Sequence, residues 1–251
     1  MKLLFLGVSS ALVVGEKKFQ SNMLIESMSG RKMLIDCGTD VRHSLYEQGI
    51  HHGDIDAVYV SHLHADHVGG LEWLGFSKFF IDKKRPELYI SPDQQDKLWS
   101  NVLSGGMSSL ENVDVNLSTY FDVRPIDDLS FMWEKCRFQL IAVYHSIHHH
   151  ERLPCYGLLI SGQFKKIFIS TDTRFCPELL MPIYNAADVI FHDCETAERV
   201  SGQHAQYTDL KTLDVTIKNK MWLYDYNDDT LPDAVSDGFK GFVVQGQSFE
   251  F

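Results

Sequence analysis

His62-x-His64-x-Asp66-His67 places four metal-ligating side chains within six consecutive positions. Imidazole nitrogens and carboxylate oxygens are ligands for divalent cations. Histidines two apart in an extended loop project to the same side, so both can grip one ion. Asp66 and His67 turn the other way and can reach a second ion a few ångströms off. Gly69 and Gly70 follow, letting the backbone turn sharply without a Cβ clash. A solvated histidine loop holding nothing is the alternative. It is disfavoured because the cluster directly follows the apolar run 57–60. The chain has 12 histidines in all, a density that puts metal ligation first among the hypotheses.

Such side chains need a rigid frame. The 251 residues are 44% hydrophobic and 23% charged, which excludes a disordered or fibrous chain. A net charge of −11 repels phosphate backbones and argues against a general nucleic-acid binder, although a metal ion can invert the field locally. Cys37, Cys136, Cys155, Cys176 and Cys194 are odd in number with no close pairs, which points to a reducing compartment and a cytoplasmic protein. The apolar start, Leu3 to Leu6, faintly resembles a signal peptide, but one lysine and an interrupting Gly7 make a buried strand the better reading. No apolar run approaches the roughly 20 residues of a membrane helix.

Short apolar runs separated by turn signals predict strands over 3–6, 22–28, 32–35, 57–60, 88–90, 138–144, 156–161, 166–170 and 189–191, with a final inner strand over 221–224. Ser29-Gly30-Arg31 reads as a hairpin turn. Helices are expected over 41–48, with Asp40 as N-cap and Gly49 beyond its end; through Leu71, Trp73, Leu74 and Phe76; from Pro92 to about 102; and over 209–218. Residues 104–122 read as a long polar loop, a feature usually tied to function. One α/β domain spanning 1–251 is the economical organisation.

The histidine motif resembles the hallmark of the metallo-β-lactamase superfamily, whose fold is a four-layer αββα sandwich. Met1 to Gly7 is similar to the family's opening strand, and Asp36-Cys37-Gly38 to its Asp-x-Gly turn. Within the superfamily the chain most resembles the ribonuclease Z-like branch: His145 and Tyr156-Gly157 match a strand-end histidine followed by a Tyr-Gly segment, and Thr171-Asp172-Thr173 matches the turn that carries a bridging carboxylate. The resemblance implies two divalent ions, Zn²⁺ foremost, with His62, His64 and His145 on the first, Asp66 and His67 on the second, and Asp172 between them. His148, His149 and His150 compete with His145, which is favoured because it follows the apolar strand and is held more rigidly. His204 matches a histidine that serves the phosphate as proton donor, making Asp66 and His204 the implied catalytic side chains, with Asp193 orienting His204. Asp225 stands where the branch places a closing histidine. Read as a ligand, it hardens the second site toward Mn²⁺ or Mg²⁺.

The superfamily hydrolyses many ester classes, so fold does not settle the substrate. Only residues 158–171 separate the Tyr-Gly strand from the bridging aspartate, too few for the basic arm of transfer-RNA processing enzymes. The segments 69–74, 154–158, 191–196 and 221–224 resemble phage and bacterial anti-Pycsar phosphodiesterases, which implies hydrolysis of 3′,5′-cyclic mononucleotides in evasion of antiphage defence. A nuclease acting on transfer-RNA ends or small RNA is the second reading, and a nucleotide-sequestering protein without catalysis the third. The branch also implies a homodimer; independently, the polar loop 104–122 is expected to close the partner's pocket, and neither a membrane nor a stable nucleic-acid partner is expected. Phe79, Phe80, Trp99, Tyr120 and Tyr207 are the aromatic candidates for stacking on a base.

Overall fold

Alternating side chains sort onto opposite faces of a strand, and the first four-residue strand already shows what the frame is. In the computed structural model, which describes residues 1–162, 165–227 and 230–251, strand β1 (Lys2–Phe5) sends Leu3 and Phe5 into one apolar cluster and Leu4 into another. It pairs antiparallel with β2 (Met23–Glu26), which turns through Gly30, at φ 85°, into β3 (Lys32–Ile35). Helix α1 (Val41–Glu47) then crosses over to β4 (Ala57–Tyr59), parallel to β3. The short α2 (Ala65–Val68) and α3 (Leu71–Phe76) lead to β5 (Glu87–Ile90), and α4 (Pro92–Lys97), α5 (Ser104–Met107) and α6 (Leu117–Tyr120) lead to β6 (Asp122–Pro125). Wider π-type turns prolong α3 to Asp82 and α4 to Leu103.

The second half repeats the scheme. Strands β7 (Ser130–Trp133) and β8 (Cys136–Ala142) form a hairpin, a small exposed ribbon joins β9 (Ile147–His148) to β10 (Glu151–Arg152), and β11 (Tyr156–Ser161) returns beside β8. From β12 (Ile167–Ile169) the chain runs through α7 (Pro177–Ala186) to the parallel β13 (Val189–Asp193). It continues through α8 (Tyr207–Leu210) and α9 (Val215–Lys218) to β14 (Met221–Tyr224), and then to β15 (Gly241–Phe242). Finally β16 (Ser248–Glu250) comes back to the free edge of β1. Two seven-stranded sheets result, ordered β16-β1-β2-β3-β4-β5-β6 and β15-β14-β13-β12-β11-β8-β7.

Three apolar layers hold four structural ones together. Between the sheets lie Leu3, Phe5, Ile25, Ile35 and Tyr59 from one side and Phe138, Leu140, Leu158, Ile169, Phe191 and Tyr224 from the other. The outer face of the first sheet presents Leu24, Leu34, Val58 and Ile90 to Leu45, Leu71, Leu74 and Leu98 on its helices. On the second sheet, Phe168, Ile190 and Leu223 meet Leu180, Tyr184, Leu210 and Ile217. This is the expected αββα sandwich.

Several elements depart from the sequence reading. Residues 104–122 are not one loop: α5 and α6 take both ends, and only 108–116 is irregular. The expected helix over 209–218 is two: the first ends at Leu210, and Asp214 caps the second by accepting the Thr216 N–H on its side chain. Helix α7 was not expected, since Pro182 interrupts its pattern. Nor were β6, β7, β15 and β16. All but β15 carry polar or half-exposed side chains without clean alternation, and β6, β7, β15 and β16 all lie at sheet edges, which leaves 221–224 the final inner strand, as expected.

Candidate active site

In both sheets the parallel strands end on the same edge, and there the histidines and aspartates gather. Open α/β sheets place their sites beyond the carboxyl ends of strands. Asp36 follows β3, Ser61 and His62 follow β4, His145 lies just past β8, Asp172 follows β12, Asp193 ends β13 and Asp225 follows β14. Asp36, Thr171 and Asp225 have φ of 64°, 52° and 63°, a left-handed conformation that costs most at the β-branched Thr171. Two glycines permit the close approach of chains: a Cβ on Gly38 would lie 2.0 Å from the Asp66 carbonyl oxygen, and one on Gly157 2.7 Å from those of Ile169 and Ser170.

His62, His64, His145 and Asp172 form the first cluster. His62 Nε2 and His145 Nε2 each lie 3.1 Å from His64 Nδ1, and Asp172 Oδ2 lies 3.7 and 3.6 Å from the same two Nε2 atoms. Metal–nitrogen bonds of 2.0–2.1 Å in a tetrahedron put ligand atoms about 3.4 Å apart. The tautomers agree with that geometry. His145 Nδ1 donates to the Gln203 carbonyl at 3.0 Å. His62 Nδ1 donates to Ser61 Oγ at 3.0 Å, and that hydroxyl passes its own proton to Asp36 at 2.7 Å. Both Nε2 lone pairs are thereby turned inward. Burial holds His62 well below the usual imidazole range and brings His145 down to about 4, so both keep those lone pairs free.

Asp66, His67 and Asp172 form the second cluster. His67 Nε2 lies 3.1 Å from Asp66 Oδ2 and 3.2 Å from Asp172 Oδ2, while its Nδ1 donates to Asp36 Oδ2 at 2.8 Å. Burial alone would depress His67, but Asp172, Asp66 and Asp36 outweigh it and hold the imidazole well above its ordinary value. The proton on Nε2 and a cation are rivals for one lone pair. Asp172 Oδ1 is buried with no hydrogen-bond partner, an orphaned acceptor on the residue common to both clusters.

A third group joins Asp172 to Asp193, His204 and Asp225. His204 Nδ1 donates to Asp193 Oδ2 at 2.9 Å and lies 3.4 Å from Asp225 Oδ2. Burial pulls His204 down, yet Asp193, Asp172 and Asp225 raise it to about 11. Burial lifts Asp193 to about 6, and burial with the Asp172 and Asp193 charges lifts Asp225 well above the carboxylate range. Asp36, Asp172, Asp193 and Asp225 are all at most 3% exposed. So much buried negative charge around lone-pair nitrogens calls for cations, and the donor set fits divalent metal ions.

Every sequence-predicted site residue thus arrives at this edge. His145 rather than its rivals joins the cluster, since His148, His149 and His150 sit on the exposed β9–β10 ribbon. Asp193 holds His204 as expected. Asp225 groups with Asp193 and His204, and its Oδ1 accepts from Ser21 Oγ at 2.6 Å. His192 faces away, bonded to Tyr184 Oη at 2.6 Å. Two contributors were missed. Asp36 was legible only as part of a turn, although its two oxygens fasten Ser61 and His67. Gln94 carried no signal at all. None of the five aromatic candidates lines the pocket beside the first cluster.

Two sheets in an αββα sandwich with paired His/Asp clusters at the strand ends define a metallo-β-lactamase-fold, metal-dependent hydrolase. Solved structures agree on the fold: the metallo-β-lactamase fold protein YhfI from Bacillus subtilis superposes with a TM-score of 0.74 at 17% identity, covering 99% of this chain and 98% of that one, and the short form of human tRNase Z with 0.71 at 17%, covering 100% and 99%. The chain belongs to the family described as Anti-Pycsar protein Apyc1, whose pattern matches residues 1–249. A member from Paenibacillus harenae is 35% identical over 231 residues, 91% of this chain and 90% of that protein. One from Bacillus phage 010DV004 is 29% identical over 258 residues, 99% and 98% respectively. Among the described residues no helix is long and apolar enough to cross a membrane.

Proposed function

We propose that this protein hydrolyses 3′,5′-cyclic mononucleotides, the signals implied by the anti-Pycsar name of its relatives. The observation that carries the reading is the sharing of one buried carboxylate, Asp172, by two ligand clusters. His62, His64 and His145 would hold one cation, Asp66 and His67 the other, with Asp172 between them and Asp225 closing the second site. When bound, two divalent ions supply Lewis acidity and a nucleophilic oxygen at neutral pH. The nitrogen-rich first site suits Zn²⁺, and the carboxylate-rich second site admits Mn²⁺ or Mg²⁺.

The chain's own residues do the rest. Asp66 and Asp172 align the attacking oxygen by accepting its protons. His204, anchored through Nδ1 to Asp193, presents Nε2 to the phosphate and gives its proton to the departing ribose oxygen as the ring phosphodiester opens. Asp193 keeps that imidazole charged beforehand. The product is a nucleoside monophosphate. The reading includes a homodimer, for which sedimentation should show a two-chain species at assay concentrations; a fully active monomer would remove that part.

Protein loaded with Zn²⁺ or Mn²⁺ and offered cyclic mononucleotides and precursor transfer RNA side by side tests the whole. Turnover confined to cyclic mononucleotides is expected. Cleavage of the RNA alone would favour a nuclease. Tight nucleotide binding without turnover in metal-loaded protein would favour sequestration.

A further inference from the structure

The pocket beside the first cluster is walled by one face of α4. About 170 Å³ in volume, it is lined by His62, His64 and His145 together with the apolar Leu63, Leu153 and Pro154. Asp93, Gln94 and Lys97 of α4 also line it, at spacings that put them on one helical face.

Asp93 and the Gln94 amide nitrogen are committed, while Gln94 Oε1 is buried with no hydrogen-bond partner among the described residues. Gln94 is 1% exposed and donates from Nε2 to the carbonyls of both Ser61 and Pro154, at 3.0 Å each. That ties α4 to the loop carrying His62 and to the segment entering β11, so the wall is rigid. Asp93 accepts from Ser91 Oγ at 2.6 Å and from Tyr156 Oη at 2.9 Å, one bond on each oxygen. The Lys97 ammonium, one turn further on, has no ion pair or hydrogen bond among the described residues, even though Asp93 stands four residues before it.

We propose that this pocket is the nucleobase subsite of the cyclic mononucleotide and that Lys97 sets its specificity by donating to a ring carbonyl. The assignment rests on the function proposed above. Apolar lining suits the faces of a base, and a polar group beside it fixes its edge. An ammonium offers three donors and no acceptor. It therefore favours a base edge that carries a carbonyl, as uracil O4 or guanine O6 does, over adenine, which presents an amino donor at that edge and only ring nitrogens as acceptors.

The test compares kcat/KM of metal-replete, full-length protein on 3′,5′-cyclic UMP and 3′,5′-cyclic AMP for wild type, Lys97→Met and Lys97→Arg. Methionine keeps the apolar stem without the charge, and the exposed position removes folding as an issue. A lost charged hydrogen bond at a partly exposed site is worth roughly tenfold. The UMP-to-AMP ratio should fall by about that factor in Lys97→Met, mainly through KM, and largely recover in Lys97→Arg. A ratio that does not move overturns the assignment, whether both substrates suffer alike, as for a contact to phosphate or ribose, or neither does. A wild type that hydrolyses neither nucleotide instead overturns the proposed function, and the subsite with it.

Discussion

Replacing Asp36 by asparagine strikes the second ligand cluster most directly, because Asp36 bonds His67 itself and reaches His62 only through Ser61. Asparagine tolerates the left-handed φ of 64° as aspartate does, and the side chains are isosteric. What changes is the hydrogen bonding. Oδ1 accepts from the Ser61 N–H at 2.8 Å, and Oδ2 accepts from Ser61 Oγ at 2.7 Å and His67 Nδ1 at 2.8 Å. An amide has one oxygen. If it stays on the Ser61 N–H, its NH₂ faces His67 Nδ1, and His67 must move its proton to Nε2, the atom facing Asp66 and Asp172. A lost charged hydrogen bond costs about 1.5–3 kcal/mol, and changes in the partners of metal-binding histidines typically cost about 10- to 100-fold in affinity. Those ranges coincide. Titration of metal-free protein with Zn²⁺, followed calorimetrically, should show the His67 site fall by about that factor and the His62 site, reached only through Ser61, by less. Melting of the metal-free form should drop by roughly 3–12 °C. Two unaltered affinities, or equal loss at both sites, would refute the assignment of His67 and Asp36 to one site.

The remaining expectations are briefer. His64→Ala removes an exposed side chain, so metal-free melting should change by no more than about 2 °C, yet hydrolysis and first-site metal should disappear; retained metal by elemental analysis would contradict this. Asp225→His should raise Zn²⁺ affinity at the second site at the expense of Mn²⁺, and an unchanged metal profile would mean the side chain does not ligate. His192, brought to about 4 by burial, stays neutral in the fold but binds a proton in the unfolded chain below about 6.5. Stability present above that pH is therefore lost as pH falls toward 4, by roughly 3 kcal/mol from this group. Metal-free His192→Gln should lose less across that window than wild type, and parallel acid profiles would exclude His192 as the cause.

The inner strands were legible because a strand buried on both faces reads as a short apolar run: 156–161 and 221–224 were placed to the residue. Edge strands were not, since a strand such as Asp-Val-Arg-Pro has one solvated side and little pattern. The ligands could be read from the chain because strand ends concentrate them into short motifs, and His145, Asp172 and Asp225 each close an apolar run. Partners that act through tertiary contact left no such mark. Gln94 sits on a helix 33 residues from Ser61 and 60 from Pro154, and nothing local in its sequence distinguishes it from a surface glutamine.

The central claim is tested most directly by ³¹P NMR of 3′,5′-cyclic UMP incubated with metal-loaded protein in ¹⁸O-water. A two-cation phosphodiesterase predicts that the cyclic resonance gives way to a nucleoside monophosphate bearing one ¹⁸O on phosphorus, and that stripping the metals stops the conversion. A cyclic resonance that persists through prolonged incubation with fully metal-loaded protein, or conversion that continues after the metals are removed, would contradict it.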